Sequence, residues 1–182
     1  MGEQYRASCM LHNYYLEFLT LNQFRYENAV RIGPDRMFLP QYRQPDKIAS
    51  PEIAVHAVGL AFLHNCMLYP SFINGDVCKR MICWLYGFGL ENASFFPYWK
   101  SNPDETTTND ATVPISYWKN ERGFLATVLN STKETKTVRV NLPEKSGKIF
   151  LLNPLDGGET PFASEQELTL PPYQAVLIRG EK

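Results

Sequence analysis

The sequence predicts an α/β piece followed by an all-β, antiparallel sandwich, and three observations carry that reading. The C-terminal third is a ladder of short apolar segments separated by turn residues, at the even spacing of a small sandwich. Residues 10–95 instead alternate helix-length and strand-length apolar runs, the pattern of parallel βα units. Between them, Ser101 to Asp110 is rich in Thr, Asn and Asp and reads as a linker or long loop. The expected division is a partial (β/α) domain over 1–100 and a β-sandwich over 111–182.

In chain order, the helical spacing of Leu11, Tyr14, Tyr15, Phe18 and Leu21 predicts a helix from Leu11 to about Val30, ended by Gly33-Pro34-Asp35. Met37-Phe38-Leu39 is a strand-length run stopped by Pro40, with Gln41-Tyr42-Arg43 as its exit. Pro45 to Ser50 reads as loop. Ser50-Pro51-Glu52 then opens a helix: Ser caps, Pro suits the first turn, and Glu favours the positive end. That helix is apolar almost all round through Phe62, so it should be buried. Leu63 to Tyr69 is a second strand-length run. Asn74-Gly75-Asp76 precedes a further helix from Val77 to about Tyr86, stopped by Gly87 and Gly89. Two strands cannot make a stable parallel sheet with both faces covered, so this first piece looks like the end of a larger α/β domain.

The sandwich strands are expected at Val113–Lys119, Gly123–Leu129, Thr135–Val140, Lys148–Leu152, Glu167–Leu170 and Ala175–Ile178, with a turn over Pro143 to Gly147. Their inward faces should include Phe124, Leu125, Val128, Val138, Val140, Ile149, Leu151, Leu170, Val176 and Ile178.

Composition narrows the function. A net charge of −1 over 182 residues offers no field for nucleic acid or an anionic membrane. No apolar run is long enough to span a bilayer, and Met1-Gly2-Glu3-Gln4-Tyr5 lacks the basic-then-apolar order of a signal peptide. Cys9, Cys66, Cys78 and Cys83 show no Cys-x-x-Cys pairing and should be buried free thiols. His56 and His64 have no third ligand at a metal-like spacing, and no phosphate-loop or dinucleotide glycine pattern appears, so no metal or cofactor is expected. Eleven Phe, ten Tyr and three Trp serve a core first, although stacked Tyr and Trp also suit sugar faces. Asn92-Ala93-Ser94 and Asn130-Ser131-Thr132 are glycosylation sequons by spelling alone.

A more specific pattern is the run Leu85-Tyr86-Gly87-Phe88-Gly89-Leu90-Glu91-Asn92 with Phe96-Pro97-Tyr98-Trp99. It precedes a sandwich carrying Leu129-Asn130-Ser131, Asn153-Pro154-Leu155-Asp156-Gly157-Gly158-Glu159 and the closing Leu168 to Ile178. Over residues 36–180 this resembles the C-terminal end of bacterial glycoside-hydrolase-like proteins related to glycoside hydrolase family 123. Those proteins pair a (β/α)8, TIM-like barrel with a C-terminal β-sandwich. The resemblance implies that residues 1–100 are the last βα units of such a barrel. A whole barrel takes about 250 residues, so the carboxylate pair of glycoside hydrolysis is expected outside this chain. It also implies a carbohydrate partner, with the missing barrel portion or a second copy covering the open α/β piece, and allows a periplasmic or secreted parent.

Barrel chemistry sits at the C-terminal ends of strands. That rule selects Gln41, Tyr42, Arg43 and Tyr69 as substrate-lining candidates, against ordinary loop roles. His64 is polar within an apolar run, and Trp99 could stack on sugar or pack at the seam. Glu91, in a glycine-flanked loop, is the weak catalytic candidate, Glu52 being better explained as a helix-start charge. Two other classes stand beside the hydrolase-like one: a non-catalytic carbohydrate-binding or protein-interaction module, and a small α+β protein unrelated to sugars.

Overall fold

The computed structural model describes residues 11–29, 37–143 and 147–182. Its helices are α1 (Leu21–Asn28), α2 (Pro45–Ala49), α3 (Pro51–Leu63) and α4 (Gly75–Phe88). The strands are β1 (Met37–Phe38), β2 (Met67–Leu68), β3 (Ser94–Phe96), β4 (Thr107–Thr108), β5 (Ile115–Asn120), β6 (Gly123–Leu129), β7 (Lys136–Asn141), β8 (Lys148–Leu152), β9 (Glu159–Pro161), β10 (Glu167–Leu170) and β11 (Ala175–Glu181). All six sandwich strands expected from sequence are present. The turn over residues 143–147, the helix stop at Gly33-Pro34-Asp35 and Cys9 fall wholly or partly outside the described residues.

The N-terminal helix is shorter than its periodicity predicts. Tyr15–Glu17 is one 3-10 turn, and α1 begins only at Leu21. The reason is a capping box: the Thr20 hydroxyl accepts from Gln23 N–H at 3.2 Å, and Gln23 Oε1 accepts from Thr20 N–H at 2.8 Å. Pro45–Ala49, expected as loop, is one helical turn with proline at its start. His64 and Asn65 do not belong to a strand. They end α3 in a Schellman motif, Asn65 taking φ 50° while Cys66 N–H bonds Ala61 O at 3.0 Å and Asn65 N–H bonds Phe62 O at 3.1 Å. Gly87 lies inside α4; Gly89, at φ 87°, is the residue that stops it. Ser101 to Asp110 is not a free linker, because β4 pairs with β7 and Asn102 brackets Thr106 through both its amide atoms.

Two antiparallel sheets form the sandwich, a six-stranded one in the order β3-β5-β6-β11-β8-β9 and a three-stranded one in the order β10-β7-β4. Phe124, Val128, Val138, Val140, Leu170 and Ile178 fill the space between them. Leu125, expected on that inner face, points the other way and packs with α3. The larger sheet is buried on both sides: Trp118, Leu125, Leu129, Leu152, Ala175 and Leu177 meet the helical layer. This explains why β6 is buried at every position rather than alternating. Every residue of α3 from Ile53 to Leu63 is buried, as its unbroken apolarity predicts.

At Gly59 α3 packs directly against β11. A Cβ there would lie 2.5 Å from the Ala175 Cβ, and neither methyl can rotate away. Gly59→Ala is expected to cost about 2 kcal/mol by overpacking, and adding Ala175→Gly should recover a large part of it. Urea melts of the three variants check this; strictly additive losses would mean the helix simply backs off.

Cys78 is buried and Cys66 half-buried, and burial pushes their thiols up to about 11 and about 12. Cys83 departs from expectation: it is an exposed free thiol on α4.

Candidate functional site

The parallel pair β1–β2 is joined through α3, and Met37 faces Met67 while Phe38 faces Leu68. Side chains alternate across a strand, so the two faces differ. Phe38 points into the core, with ring centroids 5.0 Å from Tyr15 and 4.9 Å from Phe24. Met37, Met67 and Tyr69 lie on the opposite side and are 51%, 53% and 47% exposed. Tyr69 N–H extends the ladder to Phe38 O at 2.9 Å, holding that ring at the C-terminal end of the pair.

The exit from β1 is anchored. Gln41 N–H donates to the Tyr15 hydroxyl at 3.0 Å, and the Tyr42 hydroxyl donates to Asn13 O at 2.7 Å. Tyr42 is buried, so its ring and hydroxyl tie the strand exit to the N-terminal 3-10 turn. Arg43 and Tyr69 are the exposed members of the strand-end group, with Gln41 half-buried between core and surface.

His64 and Trp99 meet elsewhere, at the seam between the helices and the segment after β3. Their rings stack at 5.5 Å and 22°, and the Arg25 guanidinium lies over Trp99 at 5.6 Å. His64 Nδ1–H donates to Leu60 O at 2.8 Å, which leaves Nε2 to accept from the Tyr98 hydroxyl at 3.3 Å. Burial holds the imidazole down at about 4, and Arg25 adds to that. A buried neutral ring with both nitrogens engaged is a structural histidine. His56 is alike: Nε2 accepts from Tyr15 N–H at 3.0 Å and Nδ1–H donates to Tyr173 O at 2.8 Å. Among the described residues no group of His, Cys, Asp and Glu could hold a metal ion.

Glu91 is exposed in the 3-10 turn Leu90–Asn92. Its carboxylate and the Arg122 guanidinium flank the space beside Gly89. This places it beyond the end of α4, whereas the strand-end group precedes that helix.

One polar cluster escaped the sequence reading. Lys119 Nζ contacts both Asp104 oxygens, at 2.6 and 2.7 Å, and the Tyr117 hydroxyl donates to Asp104 at 2.9 Å. Burial pushes the Tyr117 phenol far up, and the Asp104 charge pushes it further. The only signal was the alternation of Tyr117 and Lys119 on one strand, since Asp104 lay in the apparent linker. Nearby, Tyr98, Lys100, Asn102, Glu105 and Thr107 line an open groove of about 730 Å³.

The class of fold is thus a short parallel βαβ unit packed on a large antiparallel sheet. No family model matches this sequence, and no curated protein does. Among solved structures, a GH27 β-L-arabinopyranosidase from Geobacillus stearothermophilus is similar at 10% identity and a TM-score of 0.47, over 83% of this chain and 33% of its own. A rhamnosidase from Novosphingobium sp. PP1Y is 16% identical with a TM-score of 0.32, over 93% of this chain and 16% of its own. A conserved exported protein from Bacteroides fragilis is 13% identical with a TM-score of 0.40, over 92% and 44%. The chain spans less than half the length of each.

Proposed function

We propose that this chain is the C-terminal portion of a glycoside-hydrolase-like protein related to family 123. In this reading β1, α3, β2 and α4 are the last βα units of a TIM-like barrel, and residues 111–182 its supporting sandwich. The observation that carries it is the bare apolar face of the parallel pair. Helices cover the Phe38 side, while Met37, Met67 and Tyr69 stand exposed on the side that would face a barrel interior. Two parallel strands of this length are unstable as an isolated sheet, so further parallel strands are their natural complement. The carbohydrate class of substrate comes from the sequence resemblance, and in this reading Tyr69, Arg43 and Gln41 are the substrate-lining residues, because a barrel binds its substrate at the C-terminal ends of its strands. The catalytic carboxylates then lie on other strands, and this portion does not hydrolyse glycosides alone.

The test has two parts. The isolated chain is expected to self-associate through the exposed face, and Met37→Lys with Met67→Lys should make it monomeric by light scattering. A longer polypeptide carrying preceding βα units should hydrolyse a chromogenic glycoside panel that the short chain leaves intact, with Tyr69→Ala reducing kcat/KM about tenfold or more. A monomeric wild-type chain with low dye binding, or turnover by the short chain alone, would sink the reading.

One observation favours a second reading, a non-catalytic carbohydrate-binding module: the groove beside Tyr98 offers amide, hydroxyl and charged groups around an aromatic ring. Glycan-array binding by the short chain that Lys100→Ala abolishes would select it.

A further inference from the structure

A second cleft lies at the opposite end of α4 from β2, between the last turns of that helix and the end of β11. It measures about 300 Å³ and includes Trp84, Gly87 and Phe88 from the helix, Arg122 from the turn between β5 and β6, and Arg179 and Glu181 from β11. We infer that this cleft binds a small ring compound carrying one carboxylate. The inference does not depend on the hydrolase-like reading.

Gly87 is the first ground. It sits inside a helix, where glycine is disfavoured relative to alanine. Packing does not require it, since a Cβ at this position would meet nothing within 4 Å. What the missing side chain leaves is open helix backbone on the cleft wall. Residues 84, 87 and 88 share one helix face, so the gap opens beside the half-buried Trp84 ring. Together they make a flat apolar surface at the lower limit of ordinary ligand pockets in size.

The second ground is the unequal state of the two arginines. Arg179 hydrogen-bonds Glu159 at 2.8 Å and has Phe150 beneath its guanidinium at 5.5 Å, while its Nε lies 3.2 Å from Glu181 without a hydrogen bond. It is a fixed part of the wall. Arg122 makes no ion pair within 4 Å among the described residues. Two carboxylates stand near it without pairing to it: Glu91, on the same side of Gly89, and Glu181 in the cleft wall. A helix C-terminus repels anions, but here Asn120 Nδ2 donates to Phe88 O at 3.0 Å and Gly89 O at 3.2 Å, quenching two of the exposed carbonyls. Arg122 is therefore left to act outward, and a planar guanidinium matches a carboxylate by two parallel hydrogen bonds.

The test is a titration of the 15N-labelled chain with D-glucuronate and with benzoate, using D-glucose as the ring without charge and acetate as the charge without ring. Saturable amide shifts confined to residues 84–88, 122 and 179–181 are expected with at least one of the two ring acids. Glucuronate alone would identify a sugar acid, and benzoate alone an aromatic one. Arg122→Gln and Gly87→Ala should each weaken binding about tenfold or more, with the melting temperature of Gly87→Ala unchanged or raised. The inference falls if neither ring acid saturates by about 20 mM, if acetate binds as well, or if the shifts lie elsewhere. It also falls if Arg122→Gln lowers the melting temperature and leaves affinity intact, because the arginine would then serve only the helix end.

Discussion

Acidification from pH 7 to pH 4 is expected to remove about 3 kcal/mol of stability through His56 alone. The ring is fully buried and bridges two backbone groups that require its neutral form, Tyr15 N–H on Nε2 and Tyr173 C=O on Nδ1. Protonation would set a second donor against the Tyr15 N–H. Burial accordingly holds His56 down at about 4, below the ordinary histidine value of about 6.5, although the bond to Tyr173 opposes the shift. The folded value lies below the unfolded one, so between pH 6.5 and 4 the unfolded chain binds more protons. The stabilisation is complete above that window, fades as pH falls through it, and stops changing once both states are protonated. His64 also sits at about 4 through burial and adds a loss of similar size. Together the two approach the whole stability of an ordinary domain. Urea midpoints measured from pH 7.5 to 4 check this, and His56→Gln should remove about half of the slope. A midpoint indifferent to pH across that window would refute the bridging role.

Asn130→Ala should cost about 4 kcal/mol. This side chain is wholly buried at the end of β6. Its Nδ2 donates to Glu134 O at 2.7 Å, Pro171 O at 3.0 Å and Leu170 O at 3.1 Å, while Oδ1 accepts from Thr132 N–H and the Thr132 hydroxyl. One amide therefore holds the β6–β7 turn and the β10–β11 turn together, and so ties the two sheets. Alanine strands carbonyls away from water. Aspartate should be worse, since an acceptor would face three carbonyls. Chemical denaturation reads the effect, and a loss below about 1 kcal/mol would mean that water replaces the amide. The same burial withdraws this sequon from glycosylation in the folded chain, because the nitrogen that would carry the sugar is enclosed.

These two residues show where sequence reasoning stopped. Asn130-Ser131 was legible as a turn, yet its partners Leu170 and Pro171 are forty residues away. His56 was visible only as one polar letter in an apolar helix. Of the strand-end candidates, Gln41, Arg43 and Tyr69 stand at or near the surface. Tyr42 is buried by a hydrogen bond to Asn13 that no local pattern announces. Trp99 and His64 were named separately, and only the fold stacks one on the other.

By itself the sequence determined the local choices. Alternation and turn residues set the sandwich strands, an unbroken apolar run set a buried α3, and Ser50-Pro51 and Asn74 set where two helices begin. Such features depend on backbone propensity and capping within a few residues, so they can be read in a line. The tertiary structure alone decided that the larger sheet is covered on both faces, that Gly59 lets α3 reach Ala175, and that Asp104 joins Lys119. It also decided that Met37, Met67 and Tyr69 share one uncovered face. Each depends on distant segments meeting, and close packing, not local propensity, selects which of them do.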